Sequence, residues 1–437
     1  MRKTACRLFC ITLTVVIGFA ERSAAEPKVK LRGGLQSYYI HQDSSYFAKT
    51  SSHFVENIVR CGVDIEPDKN ISGTVLLNAQ NCSGDAVDYT GISAHDWDFE
   101  VELANITFKE LITKPFSLTL GRQDLEYGDG FLIFDGYTDP RAFWVTPIRR
   151  FTAVKGTYET GPFNMQGFAA MVDKEYKSYE TYFTDASYHA GYRNLYGADI
   201  HLGKDDGGSW DLGLFYKDDN SDLKSDTLAI SQRGSYTFNI FTDVKARPQV
   251  KLEGEVVEEV GRTNVKDFAL VNSRQDRRSI GGHIDATLAL SQAPFTPYIK
   301  ASYIYLPGDD PDTARNETFD PFFFGSYDWG RWFLGSISCF SLFNYNERVV
   351  MSEIGLSPTE KTKLRAQYFY LNLDRQITVD AGRAWAHEVN VIFDYFPKEG
   401  LSFGVELGYA HPLKAAVAYS GDDRDTTEVI CWIGLNF

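Results

Sequence analysis

Thr426-Thr427-Glu428-Val429-Ile430-Cys431-Trp432-Ile433-Gly434-Leu435-Asn436-Phe437 closes the chain. A period of two places Val429, Cys431, Ile433, Leu435 and Phe437 on one face of a strand, and Glu428, Ile430, Trp432, Gly434 and Asn436 on the other. One greasy face and one mixed face suit the last strand of a membrane β-barrel, whose outside meets lipid and whose inside meets a wet lumen. Alone, the segment also suits a half-buried strand at the end of a soluble sheet.

The other end of the chain shifts that balance. Arg2, Lys3 and Arg7 precede an apolar run from Leu8 to Ala20, and Ser23-Ala24-Ala25 follows before Glu26. This pattern predicts a cleaved secretory signal over residues 1–25, because the apolar run is shorter than the roughly 20 residues that span a bilayer. The remainder, 26–437, shows no linker and no change of composition, and is expected to form one domain. After the signal no stretch approaches 18 consecutive apolar residues, which excludes helical spanning. Hydrophobic residues make 43% of the chain, with aromatic residues at 14% and mean hydropathy at −0.28. Tyr and Trp in such abundance suit the two water interfaces of a barrel.

The formal charge is −15, and removing a signal richer in cations than anions makes the mature chain more acidic still. No nucleic-acid patch appears, and any affinity for anions must come from local cations. Cys61, Cys82, Cys339 and Cys431 lack metal-like spacing, so neither a disulfide framework nor a metal or other cofactor is expected. Gly308-Asp309-Asp310-Pro311-Asp312 reads as a solvated turn rather than a calcium loop.

Strands of roughly ten residues recur, separated by turns rich in Gly, Asp, Asn and Pro. Trp97, Phe99, Val101 and Leu103 oppose Asp98, Glu100 and Glu102; Trp210, Leu212, Leu214 and Tyr216 oppose Asp211, Gly213, Phe215 and Lys217; Val389, Val391, Phe393 and Tyr395 oppose Glu388, Asn390, Ile392 and Asp394. Lys251, Glu253 and Glu255 share a face in the same way. A dry sandwich core would desolvate these charges at several kcal/mol each, whereas a lumen keeps them wet. The fold class is therefore all-β, a transmembrane antiparallel barrel of about 16 to 18 strands with long extracellular or inward-folding loops. Alternation marks strands at 29–40, 54–66, 71–80, 96–108, 115–123, 151–160, 162–172, 193–203, 209–217, 245–259, 278–290, 294–306, 361–373, 386–396, 401–412 and 426–437. Two long irregular segments interrupt the rhythm, Asp124 to Arg150 and Pro307 to about Gly330. Segments this long are usually functional.

The first of them opens on Gly121-Arg122-Gln123-Asp124-Leu125-Glu126-Tyr127-Gly128-Asp129-Gly130 and leads to Arg149-Arg150-Phe151-Thr152-Ala153-Val154-Lys155-Gly156-Thr157-Tyr158. This order resembles the alginate export family of outer-membrane barrels. Thr152 and Lys155 depart conservatively from the family pattern. Gly382-Arg383, His387-Glu388-Val389 and Gly408-Tyr409-Ala410 continue the resemblance toward Phe437, with Phe319 to Gly325 between. The resemblance implies a monomeric barrel in the bacterial outer membrane, in contact with its lipid. It further implies a constriction of arginines passing an anionic polysaccharide or related anionic solute, fed by a periplasmic export partner.

Guanidinium groups suit such a solute because they pair with carboxylates through two parallel hydrogen bonds. The resembling segments nominate Arg122, Arg149, Arg150 and Arg383 for the pore, and Asp129 as a brace of the Gly-rich turn. Strand faces nominate Arg60, Lys155, Arg247, Lys251, Lys300 and Arg365, with Lys245 and Lys363 beside them. Each cation equally suits a structural pair with an inward acid, and Glu100, Glu102, Glu253 and Glu255 would repel a polyanion unless answered across the lumen. A general or differently specific small-solute porin, narrowed by the loop from Asp124 to Arg150, is therefore the alternative; a scaffold barrel for a secretion or electron-transfer partner is a further one. Catalysis is not expected. Of 8 His, His201 and His283 fall on inward faces, His387 begins a strand, and none has a nucleophile context.

Overall fold

A computed structural model of the chain describes residues 27–43, 51–84, 97–128, 130–133, 151–172, 193–204, 208–219, 225–240, 248–266, 272–320, 322, 345–377 and 380–437. The expected signal segment lies outside them.

The strands are β1 (Lys28–Asp43), β2 (Ser51–Asp68), β3 (Ile71–Gly84), β4 (Asp98–Lys109), β5 (Phe116–Gln123), β6 (Phe151–Thr160), β7 (Phe163–Val172), β8 (Arg193–Lys204) and β9 (Gly208–Asp219). They continue as β10 (Ser225–Asn239), β11 (Gln249–Lys266), β12 (Asn272–Ala289), β13 (Tyr298–Leu306), β14 (Glu347–Thr359), β15 (Thr362–Leu373), β16 (Ala384–Lys398), β17 (Leu401–Pro412) and β18 (Thr426–Asn436). Each pairs antiparallel with its sequence neighbours, and β1 pairs with β18, so an 18-stranded sheet closes on itself. Closure removes both edges, which a lipid-exposed sheet requires.

The pleat turns the barrel inside out relative to a soluble protein. On β11, Glu255 is 1% exposed while the next residue, Val256, is 56% exposed; on β12, Asp285 is 3% exposed and Ile284 is 60% exposed. Lipid solvates the apolar row, and the acids face inward. On β18 the opening segment obeys the same rule: Glu428, Ile430 and Trp432 are buried, while Ile433, Leu435 and Phe437 are exposed.

Two-residue turns at Lys69-Asn70, Gly161-Pro162, Glu360-Lys361 and Glu399-Gly400 share one end of the barrel with the start of β1 and the end of β18. Long connections occupy the other. Short turns mark the periplasmic end and long loops the extracellular one. A short helix, α1 (Lys414–Ser420), lies in the last extracellular loop and buries Ala415 and Ala416.

Three details differ from the sequence reading. Strands β10 and β14 were not marked by alternation, and β11 and β12 extend to Lys266 and from Asn272. The third concerns Leu103, expected on the outer face with Val101. The register shifts between Leu76 and Leu77 as they pair with Leu103 and Val101, so Glu102 is an extra residue. Such a bulge reverses the pleat beyond it, and both Glu102 and Leu103 face inward and are buried.

Candidate functional site

Two segments enter the lumen from the extracellular side, residues 124–128 and 130–133 after β5 and the stretch from Pro307 to Asp320 with Phe322 after β13. Leu125, Tyr127, Phe131, Leu132 and Ile133 of the first loop are buried among inward side chains of the wall. Tyr127 donates its N–H to the Ile133 carbonyl at 3.2 Å, and Gly130 donates to Tyr127 at 3.1 Å, which closes a tight turn. The Tyr127 ring stacks on Phe168 of β7 at 5.1 Å and meets Phe215 of β9 at 5.2 Å. Gly128 has φ +65° and would place any added Cβ 2.7 Å from Oε2 of Glu255. Only glycine lets the turn lie so close to that wall carboxylate.

The second loop runs along β12 before turning inward. Arg278 donates its N–H to the Asn316 carbonyl at 3.1 Å, and Asn316 donates to Asp276 at 2.9 Å. Phe319 then lies over Gly281, where a Cβ would meet the ring at 2.6 Å. It also meets Phe131 of the first loop at 5.5 Å. An aromatic contact thus joins the two loops inside the barrel.

Asp320 fastens the second loop to the wall. Its carboxylate pairs with Lys217 of β9 and, at 2.7 Å, with Arg277 of β12, and it accepts a hydrogen bond from Thr227 of β10 at 2.9 Å. Its N–H donates to Glu259 of β11 at 2.8 Å. Burial alone would raise the Asp320 carboxyl, but Lys217, Arg277 and the Thr227 hydroxyl more than offset it and hold the group well below the usual carboxylate range. Lys217 also lies 4.9 Å from the centre of the Phe322 ring. The sequence reading did not single out this cluster. Its signal is one carboxylate in the aromatic run from Phe319 to Phe324, which needs cationic partners once buried.

The nominated cations are distributed as follows. Arg60 lies 2.8 Å from Glu102, Lys251 2.7 Å from Glu253, Lys300 3.3 Å from Asp285 and Arg365 2.7 Å from Asp394. Lys155 is on the inward row of β6, aligned with Thr119 and Phe168. Arg122 follows Gly121, whose φ of +112° interrupts the pleat, and reaches the inward Glu100 at 3.8 Å. Arg383 is exposed in the loop before β16. Arg149, Arg150, Lys245, Arg247 and Asp129 lie outside the described residues. His201 and His283 are hydrogen-bonded to Asp211 and Asp285, each at 2.6 Å. In the acidic turn, Asp309 and Asp310 accept backbone N–H groups from Glu317 and Asp312.

Inward acids gather on one side of the lumen. Glu347, Glu353, Glu388, Asp394, Glu406, Glu428 and Glu56 line the arc from β14 through β18 to β2, where Arg60 and Arg365 are interleaved with them and Lys28, Lys30 and Arg32 of β1 and Lys363 of β15 continue the inward rows toward the periplasmic end. The facing arc, β6 to β12, carries Lys155, Arg193, Lys217, Arg233 and Arg277 interleaved with acids.

Comparison with known proteins adds the following. A profile described as alginate export matches residues 13–386. None of the curated proteins compared matches the chain. Similar solved structures include Acinetobacter baumannii OccAB1, 11% identical with a TM-score of 0.60, covering 94% of this chain and 97% of that one. Another is Pseudomonas aeruginosa OpdK, solved with vanillate, 12% identical with a TM-score of 0.58 and coverage of 94% and 99%. Pseudomonas aeruginosa OccK11 (OpdR) is 11% identical with a TM-score of 0.56 and coverage of 94% and 96%. At these identities the likeness is one of fold.

Proposed function

The chain belongs to the alginate export family of outer-membrane channels, and from that premise we propose passive diffusion of small solutes through the space left between its two inward-folded loops. One observation carries this reading: Arg60, Lys251, Lys300 and Arg365 each lie within ion-pair distance of a wall carboxylate. A cation already answered by a neighbouring acid offers a passing polyanion little. The channel acts as a monomeric barrel over residues 26–437 and performs no chemistry on its solute.

Family membership favours a second reading, export of an anionic polysaccharide through a basic constriction. Arg122, Arg149, Arg150 and Lys155 would form its core, with Arg247 and Arg383 extending it, Asp129 bracing the loop and a periplasmic partner delivering the polymer. Many weak contacts would then pass the chain without trapping it.

Swelling of liposomes containing the refolded barrel separates the two. Neutral disaccharides entering at least as fast as uronate disaccharides of equal size is the expected result. Preferential entry of the uronates would overturn the first reading in favour of the second.

A further inference from the structure

One position on the lipid-facing row of β12 carries no side chain. Arg278, Ile280, Gly282 and Ile284 follow one another along that row, and Gly282 stands opposite Val256 of β11 and Tyr305 of β13. The gap opens into a groove of about 580 Å³ walled by Val256, Ile280, Ile284, Tyr303 and Tyr305. Val256, Ile280 and Ile284 are each more than half exposed, so the groove faces outward, where the row meets lipid. Strand β13 leaves the wall after Leu306, and Pro307 and Gly308 close the extracellular end of the groove with Arg278, Glu317 and Arg375. Charges at that end are answered within the chain. Arg278 lies 3.2 Å from Glu258 and Arg375 3.0 Å from Asp310, while Arg348 sits 5.3 Å from the centre of the Tyr305 ring and donates to Asp374 at 2.8 Å. What the groove presents to an occupant is its carbon walls.

We propose that this groove holds one acyl chain of an outer-leaflet lipid and keeps that lipid on the barrel while its neighbours exchange. The length fits. From Arg278 to Ile284, β12 rises roughly 20 Å, which at the usual strand tilt of about 35–45° is on the order of 15 Å of depth. A hydrocarbon core about 30 Å thick gives each leaflet that same depth. The volume lies within the roughly 300–1,000 Å³ of small-ligand sites, and an empty groove would forfeit the dispersion contacts of its walls. Tyr303 and Tyr305 stand at its upper half, as tyrosines do near the headgroup layer. A chain lying on the filled outer rows touches protein on one side, whereas a chain over Gly282 touches a floor and two walls. Recognition is of the hydrocarbon, so the charge of the headgroup is indifferent.

The test is native mass spectrometry of the full barrel, reconstituted in equimolar phosphatidylcholine and phosphatidylglycerol with identical chains and then extracted in detergent. Wild type is expected to retain one lipid, drawn from the two classes without preference. Val256→Trp lays a ring across the glycine opposite it. The fraction of barrels carrying lipid should then fall about tenfold, the effect of displacing on the order of five chain carbons. Ile299→Trp, on the outer row of β13 away from the groove, should retain lipid as wild type does. Should Val256→Trp fail to show the heat-modifiable migration of a folded barrel, Ile280→Trp takes its place with the same expectation. Wild type that keeps no lipid, equal retention by wild type and the groove-filling variant, or severalfold selection of phosphatidylglycerol would each overturn the proposal.

Discussion

At the residue scale, Asp320 decides how the second loop sits in the lumen, because one carboxylate meets Lys217, Arg277 and Thr227 from three different strands. Asp320→Asn keeps the shape but leaves two buried cations without their counter-charge, a loss of about 3–5 kcal/mol for a broken buried pair. The loop should then spend time undocked, and single-channel conductance should rise; conductance equal to wild type would argue against the strap. The pH dependence follows from the depressed carboxyl. A group with a lowered folded pKa contributes its full stabilisation above its unfolded pKa, near 4 for Asp, and loses it as pH falls through the lower folded value. Wild-type conductance should accordingly stay flat from about pH 7 down to about pH 4 in a bilayer recording. A step within that window would show that another group controls the loop. Nothing local in the stretch from Phe319 to Gly325 marks this carboxylate as an anchor, since its partners on β9, β10 and β12 are remote in the chain.

At the scale of the element, alternation is the signal that made most strands legible, and the structure shows where it fades. Strand β10 places Gln232 and Gly234 on its outer row, which reads as a turn. Strand β14 carries Val349 and Met351 on its inner row, packed with the core that includes the two loops, so both rows look apolar and the period of two is lost. The bulge at Glu102 is invisible for a related reason: a reversed pleat needs its partner strand to reveal it. The first loop, by contrast, was bounded correctly, since β5 ends at Gln123 and β6 starts at Phe151. The outer row itself predicts a sharp asymmetry. Ile284→Arg, on the lipid side of β12, should destabilise the barrel by about 2–4 kcal/mol if the site lies near the bilayer midplane, read as a lower urea midpoint for refolding into vesicles. Ile284→Leu should leave that midpoint in place. Equal effects from the two substitutions would mean the row does not face lipid.

For the whole molecule, the closed 18-stranded sheet provides the outer-membrane channel, and the described parts of the two loops pack inside it. Barrel class, closure and the presence of inward charges were readable from local pattern and composition. Which charges answer one another was not, because Arg60 with Glu102 and Arg365 with Asp394 meet only once the register is known. Those pairs bear on the central claim, that the wall cations Arg60, Lys251, Lys300 and Arg365 are answered by the wall's own carboxylates. The direct test is the reversal potential of single channels in a planar bilayer under a salt gradient, followed by titration with oligouronates. A nonselective or weakly cation-preferring pore that oligouronates do not block is the predicted result. Anion selectivity with block that deepens as oligouronate is added would contradict it and make the chain an exporter of polyanions.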